Sequence, residues 1–378
     1  MKKASLIRYF DVAGRPGRFP GLDNLRAIAI VLVLLRHAVH FWDQPFDGYF
    51  WNLWYNGWLG VDLFFTLSGF LITYHLLSKW PERDTKKYIY HYFAKRGLRI
   101  LPLYIFVLTI AGLDVIPYFE PDNMITLYAL LVHTVFLQDY IPYASIVVPL
   151  WSLGVEEKFY LLAPVLVYFT RRYKPLHILA GSTLLILFMT IGRSLALGSA
   201  AAPTSYAEFF WNYRAPFHFS VMGILCGAIM ALLYYKFKSN LLSPAWGKTL
   251  QYLSLFLLAV LLSATPWVEA KHWGATGLVI AVSSVCFSFI LYRSLSVTPK
   301  SDGPLAKVLR FLAKLAYPLY LSHLLVLPLA KRCCLELSGE GAMRFPLFFT
   351  IFILLSLFAS LVIHLAVEKP FLILKDRF

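Results

Sequence analysis

The chain has 378 residues, 59% of them hydrophobic and 17% aromatic, with a formal net charge of +15 and a mean hydropathy of +0.65. That apolar share lies above the roughly 45–50% of soluble domains and excludes a water-soluble globular protein. The positive charge invites a nucleic-acid reading, but 26 of the 35 Lys and Arg fall in alternate loops. This is the bias that orients membrane helices, so nucleic acid is excluded as a partner and the expectation is a multi-pass membrane protein.

Residues 1–20 are polar and carry Pro and Gly, and are read as a cytoplasmic tail. The first apolar run is too long for the h-region of a cleavable signal peptide, and none is expected. Ten apolar runs follow, over roughly 22–42, 58–78, 100–117, 150–170, 175–195, 214–235, 249–267, 273–292, 310–330 and 345–366. The segment 118–149 has only a short apolar piece at 124–137, and making it a span would put "RRYK" at 171–174 on the wrong side. It is read as a re-entrant or interfacial helix. The expected fold is thus an all-α integral membrane protein of about ten transmembrane helices plus that extra helix. An even number of spans leaves both termini cytoplasmic, with residues 373–378 as the C-terminal tail. The cysteines (Cys226, Cys286, Cys333, Cys334) lack CxxC spacing, and neither a metal nor a disulfide is expected.

Ionisable groups inside such spans are costly and mark function more often than on a soluble surface. In the first span Arg26 and His37 are eleven residues apart, about 20° apart around a helix and about 16 Å along it. Alone, each has a plain reading, as a snorkelling anchor and an interhelical hydrogen-bonder. On one face, with Asp23 and Asn24 at the same end, they favour a channel lining. Arg36 points about 100° away from His37 and takes no role. Asp62, early in the second span, is either the partner of a cation such as His37 or an interfacial residue. Ser68-Gly69 permits close helix approach.

Arg96 and Arg99, in "AKRGLRILPLY", project from neighbouring helical positions and could clamp one phosphate, although basic residues also belong at this interface. Pro102 suggests that a helix begins or kinks there. In "LWSLGVEEKFYLLAP", Glu156 and Glu157 differ by about 100° on a helix, so one could face inward while the other pairs with Lys158 or water. With Trp151, Phe159 and Tyr160 they fit a sugar-binding mouth or a plain aromatic belt. His218 begins the sixth span, where Gly223 and Gly227 allow tight packing, and His323 lies in the ninth. Each histidine taken alone is readable as structural.

These segments in order, "LDNLRAIAIVLVLLRHA", "GWLGVDLFFTLSGFLI", "AKRGLRILPLY", "LWSLGVEEKFYLLAP", "YPLYLSHLLV" and "VEKPFLILK", resemble the membrane acyltransferase-3 family. The match runs from about residue 20 to 372, so residues 21–372 are taken as the transmembrane acyltransferase domain. The resemblance implies an O-acyltransferase, in most cases an O-acetyltransferase. Its donor would be cytoplasmic acyl-CoA, usually acetyl-CoA, and its acceptor an extracytoplasmic carbohydrate such as an envelope polysaccharide or lipopolysaccharide. A bacterial cytoplasmic (inner) membrane location follows from it. The family's arginine–ten residues–histidine motif falls on Arg26 and His37, its RxxR motif on Arg96 and Arg99, and its acidic positions on Asp62, Glu156 and Glu157. Departures are Arg36, where an apolar or aromatic residue is common, and Lys158, where glutamine is usual. No arginine–aspartate pair follows His218, and a hydrolase-like domain after the last span, found in some relatives, is not expected.

Acyl transfer to a hydroxyl needs a base, a held thioester and stabilisation of a developing oxyanion. In the implied mechanism Arg26, Arg96 and Arg99 hold the CoA phosphates. His37 acts as general base or acyl carrier, with Asp62 or Glu157 orienting it. Trp151, Glu156, His218 and His323 form the acceptor-binding set. The competing reading is a transporter or flippase for a lipid-linked or polymeric glycan, with the same polar line as substrate path.

Overall fold

A computed structural model describes residues 19–42, 46–81, 83–113, 115–198, 202–237, 241–296, 303–338 and 344–377. Every regular element among the described residues is helical. Helix α1 spans Pro20–His40. It opens on a proline, whose missing N–H costs nothing in a first turn, and carries Asp23 where the helix dipole favours an anion. A short helix α2 (Tyr49–Tyr55) leads through a tight turn, Asn56–Trp58, into α3 (Leu59–Lys79). Helix α4 (Thr85–Gly112) runs through Pro102, which lies inside the helix and not at its start.

The 124–137 piece yields only α5, the eight residues Leu127–Thr134, with the Ala129 N–H donating to the Thr126 hydroxyl as its cap. At about 12 Å it is too short to cross a hydrocarbon core of about 30 Å. Helices α6 (Leu150–Thr170) and α7 (Pro175–Gly198) follow. The expected sixth span is broken. Residues Phe210–Arg214 form a π turn, Pro216 interrupts the chain, and only Met222–Phe237 (α8) continues as a regular helix. Then come α9 (Pro244–Ser263), α10 (Trp273–Ser294), α11 (Pro304–Ser338), α12 (Arg344–Ile363), a second π turn at His364–Glu368, and α13 (Lys369–Lys375).

Among the described residues, six segments are long and apolar enough to cross a bilayer: Tyr49–Lys79, Pro175–Gly198, Ala245–Ser263, Trp273–Ser294, Pro304–Leu337 and Arg344–Lys375. Helix α8 has the composition but only 16 residues. Three further helices are long enough, but each carries a charged trio: Asp23, Arg26 and Arg36 in α1; Lys95, Arg96 and Arg99 in α4; Glu156, Glu157 and Lys158 in α6. These three are also the helices that bear most of the candidate catalytic and donor-binding residues, as expected if intramembrane charge is kept only where it does work.

The chain sorts into two compact units. One takes the described residues of Met1–Arg36, Pro45–Lys79 and Val155–Lys314, the other those of His37–Gln44, Trp80–Gly154 and Leu315–Phe378.

In the first unit α3 and α8 pack closely. Lipid is as apolar as leucine, so helix association rests on close packing rather than on the hydrophobic effect. A Cβ added at Gly227 would overlap the Thr66 carbonyl, and one at Gly69 would overlap that of Ile224. Asn56, fully buried, donates its amide to the carbonyls of Leu262 (3.0 Å) and Thr265 (2.7 Å) and accepts from the Trp267 N–H (3.3 Å). It thereby satisfies orphan carbonyls at the end of α9.

In the second unit α13 lies against α4, and Trp42 packs on Phe345 and Phe348. His133 of α5 is fully buried and ties three segments together. Its Nε2 accepts from the Ile146 N–H (3.3 Å), so Nδ1 carries the proton and faces the Tyr104 oxygen (2.9 Å). The Tyr104 hydroxyl donates in turn to the His133 carbonyl (3.0 Å). Burial holds this ring at about 4, well below the ordinary histidine range, which keeps it uncharged and structural.

Candidate active site

Helix α1 is unbroken from Pro20 to His40, so Arg26 and His37 do share a face. Arg26 is anchored by Asp23, one turn earlier, at 2.7 Å. The displaced Arg36 has a purely internal explanation. Its guanidinium is buried, pairs with Glu269, donates to the Tyr55 carbonyl (3.2 Å) and stacks over the Tyr206 ring. It clamps α1 to the end of α2 and to the segment before α10.

In the second unit His37 meets His323. The Nε2 of His323 lies 3.1 Å from the Nδ1 of His37, with ring centroids 4.8 Å apart. His323 is fully buried, whereas His37 is partly exposed. One turn earlier in α11, the Tyr320 hydroxyl reaches Ser152 at 2.7 Å and the Pro149 carbonyl at 3.2 Å. Trp151, one residue before Ser152, is buried. Gly154 has no side chain where Asp139 and the Phe136 carbonyl approach α6, so the loop after α5 can lie on it.

The basic pair sits in the same unit. Arg96 rests over the Tyr92 ring at 5.9 Å and Arg99 is exposed. Lys375, at the end of α13, is close enough to feel the charge of both. The cluster is therefore three cations, and Lys375 could not be assigned to it from sequence because it lies 276 residues beyond Arg99. A buried pair between His364 Nδ1 and Glu368 Oε2 (2.5 Å) precedes α13. It corresponds to the acidic residue of "VEKPFLILK", to which the sequence reading gave no role.

In the first unit Asp62 is fully buried and Arg214 holds both of its oxygens, at 3.1 and 3.0 Å. Arg214 also lies over the Trp58 ring. Arg193 is buried within electrostatic reach of this pair and rests over Phe219. Two buried guanidinium groups thus share one carboxylate. Of the two readings of Asp62, partner of a cation holds, and the cation is Arg214.

Glu156 accepts from Ser68 (2.9 Å) and from Tyr160 (2.8 Å), one bond to each oxygen. Glu157 is partly buried beside it on α6. His218 is exposed, lies tilted against Phe219 with ring centroids 4.3 Å apart, and lines a cavity of about 700 Å³ between α6, α7 and the start of α8. Arg193 contributes to the same wall, which is otherwise almost wholly apolar.

Helices long and apolar enough to cross a bilayer, with ionisable side chains buried among them, define a polytopic membrane protein. Residues 19–365 match the family model described as an acyltransferase domain, and the chain belongs to the acyltransferase-3 family. Among curated proteins it is similar to the O-acetyltransferase OatA of Staphylococcus aureus strain NCTC 8325. The two are 26% identical over 326 residues, which is 82% of this chain and 50% of the relative. The OatA protein of strain COL gives the same values. The chain spans about half the length of the curated relatives it matches. No solved structure matches it.

Proposed function

We propose that this chain is a membrane O-acetyltransferase of a bacterial cytoplasmic membrane, with acetyl-CoA as donor and an envelope carbohydrate hydroxyl on the opposite side as acceptor. The single observation that carries the reading is the placement of His37. It is a partly exposed histidine on a membrane helix, in line with Arg26, in a chain whose family transfers acyl groups. The name of the relatives supports acetyl as the group moved. The loop-charge bias supports ten spans, both termini cytoplasmic and a transmembrane domain over residues 21–372.

In this reading Arg96, Arg99 and Lys375 bind the donor's phosphates through charge-assisted contacts, with Arg26 at the same end of α1 as the cytoplasmic tail. His37 removes the proton from the acceptor hydroxyl as the hydroxyl oxygen attacks the thioester carbonyl. Trp151, Glu156, Glu157 and His218 are each candidate contacts for the carbohydrate, and the Asp62–Arg214 pair is structural support.

The test is transfer itself. In vesicles reconstituted with the protein, radiolabelled acetyl groups from acetyl-CoA should appear on envelope polysaccharide purified from a strain lacking the gene. Movement of the polysaccharide across the membrane without labelling would contradict the proposal and favour a flippase.

A further inference from the structure

Two hydrogen bonds fix the proton positions in the histidine pair. The Nδ1 of His323 lies 3.1 Å from the carbonyl oxygen of Leu319, one turn earlier in α11. A carbonyl oxygen only accepts, so His323 carries its proton on Nδ1. An uncharged imidazole has one donor and one acceptor nitrogen, which makes the Nε2 of His323 an acceptor. The atom 3.1 Å from it, Nδ1 of His37, must then be the donor. The lone pair of His37 consequently resides on Nε2, at the far side of its ring.

We propose that His323 is the positioning residue of this enzyme, holding His37 in the Nδ1–H tautomer so that Nε2 is the basic nitrogen. The inference rests on the reading of His37 as general base. It assigns the orienting role, for which the sequence offers Asp62 or Glu157, to a histidine from a different helix. Asp62 has both oxygens engaged by Arg214. His323 is suited to the task because it is itself held: fully buried, tied to the Leu319 carbonyl, and one turn from the Tyr320–Ser152 contact. An orienting group fixed by a further bond is the usual arrangement behind a catalytic histidine.

The proton count closes without changing the pair. The acceptor O–H bond breaks and its proton moves to His37 Nε2, while the hydroxyl oxygen bonds to the acetyl carbonyl carbon. The C–S bond of the donor then breaks, its electron pair stays on sulfur, and the proton on Nε2 passes to that sulfur to release CoA thiol. Throughout, His37 donates from Nδ1 to His323, whether it is imidazole or imidazolium, so the contact does not reorganise during the reaction.

The test separates the two nitrogens of His323. A glutamine at 323 can offer an oxygen near the place of Nε2, whereas an asparagine reaches only the place of Nδ1. With labelled acetyl-CoA and the polysaccharide described above, His323→Phe should lower kcat by on the order of a hundredfold, within the range ascribed to general-base catalysis. The KM for acetyl-CoA should stay within about twofold of wild type, a change too small to signal lost binding. His323→Gln should recover about tenfold or more of that loss, an increment of one acceptor hydrogen bond, and His323→Asn should not.

Full activity in His323→Phe, or rescue by asparagine equal to that by glutamine, would overturn the assignment, because only the bond to Leu319 or the space would then matter. An inactive His37→Ala beside a fully active His323→Phe overturns this inference alone. An active His37→Ala overturns the reading beneath it. Should the phenylalanine variant fail to fold, nitrogen NMR of ¹⁵N-histidine-labelled protein in bilayers decides the matter directly. The expected result is a protonated Nδ1 and an unprotonated Nε2 on His37, and the reverse tautomer contradicts the proposal.

Discussion

At the scale of single residues, the most consequential buried charges are Asp62, Arg214 and Arg193. Removing one partner of a buried pair strands the other, which costs about 3–5 kcal/mol. Asp62→Asn strands two guanidinium groups at once. It should lower the unfolding free energy of the purified protein by at least that amount, read from its thermal or denaturant transition. Arg193→Met removes the surplus cation and keeps the packing volume, so it should leave the transition unchanged or raise it. A loss in Arg193→Met as large as that in Asp62→Asn would show that the cluster is balanced in some other way. The sequence left Asp62 as either the partner of a cation such as His37 or an interfacial residue, and the structure pairs it with Arg214. The identity of that cation was not legible, because Arg214 lies 152 residues away in a π turn that no periodicity announces. Arg36 shows the same limit. Its direction around α1 was readable from spacing, but its partner Glu269 is set by how distant segments meet.

At the scale of elements, small residues decide which helices touch. Gly223 and Gly227 marked one face of α8 for close contact in the sequence, and Ser68-Gly69 did so for α3. That these faces meet each other is a tertiary fact. Gly227→Ala would drive a methyl group into the backbone of α3 at Thr66 and Phe70. Overpacking of this kind costs about 1–3 kcal/mol, and more where backbone must move. The substitution should therefore lower the melting temperature of the purified protein, whereas Gly181→Ala, with open space around the added carbon, should not.

A second pair of elements, α4 and α13, builds the cationic cluster of Arg96, Arg99 and Lys375. A hydrogen bond to a charged group is worth about 1.5–3 kcal/mol, roughly one to two powers of ten in affinity. Lys375→Ala should accordingly raise the KM for acetyl-CoA by about tenfold with little change in kcat. An unchanged KM would remove Lys375 from the donor site. The RxxR spacing disclosed two of these cations, and only the return of α13 onto α4 brings the third.

At the scale of the whole molecule, composition carried the fold class. The all-helical, multi-pass character was legible from apolar run lengths. The regions read as spans fall largely on helices, except that the third, read over 100–117, belongs to the longer helix Thr85–Gly112, and the sixth is broken at residues 210–221 by Pro216 and a π turn. Among the described residues, six segments are long and apolar enough to cross a bilayer. Helices α1, α4 and α6 are long enough but carry more charge, and α8 is apolar but short. The orientation is open to direct measurement. In intact cells a membrane-impermeant thiol reagent should label a cysteine placed at Thr204, and should leave one placed at Lys174 unmodified until the membrane is opened. The opposite pattern would invert the topology and with it the side of the donor site.

The central claim is that this bundle moves an acetyl group and that His37 does the proton chemistry. The most direct measurement is the transfer of label from acetyl-CoA to envelope polysaccharide by wild-type protein and by His37→Ala, reconstituted at equal amounts in the same vesicles. The account predicts labelled polysaccharide with the wild type and a loss of on the order of a hundredfold or more with the variant, in protein that still melts as the wild type does. Wild-type labelling by folded His37→Ala would contradict it.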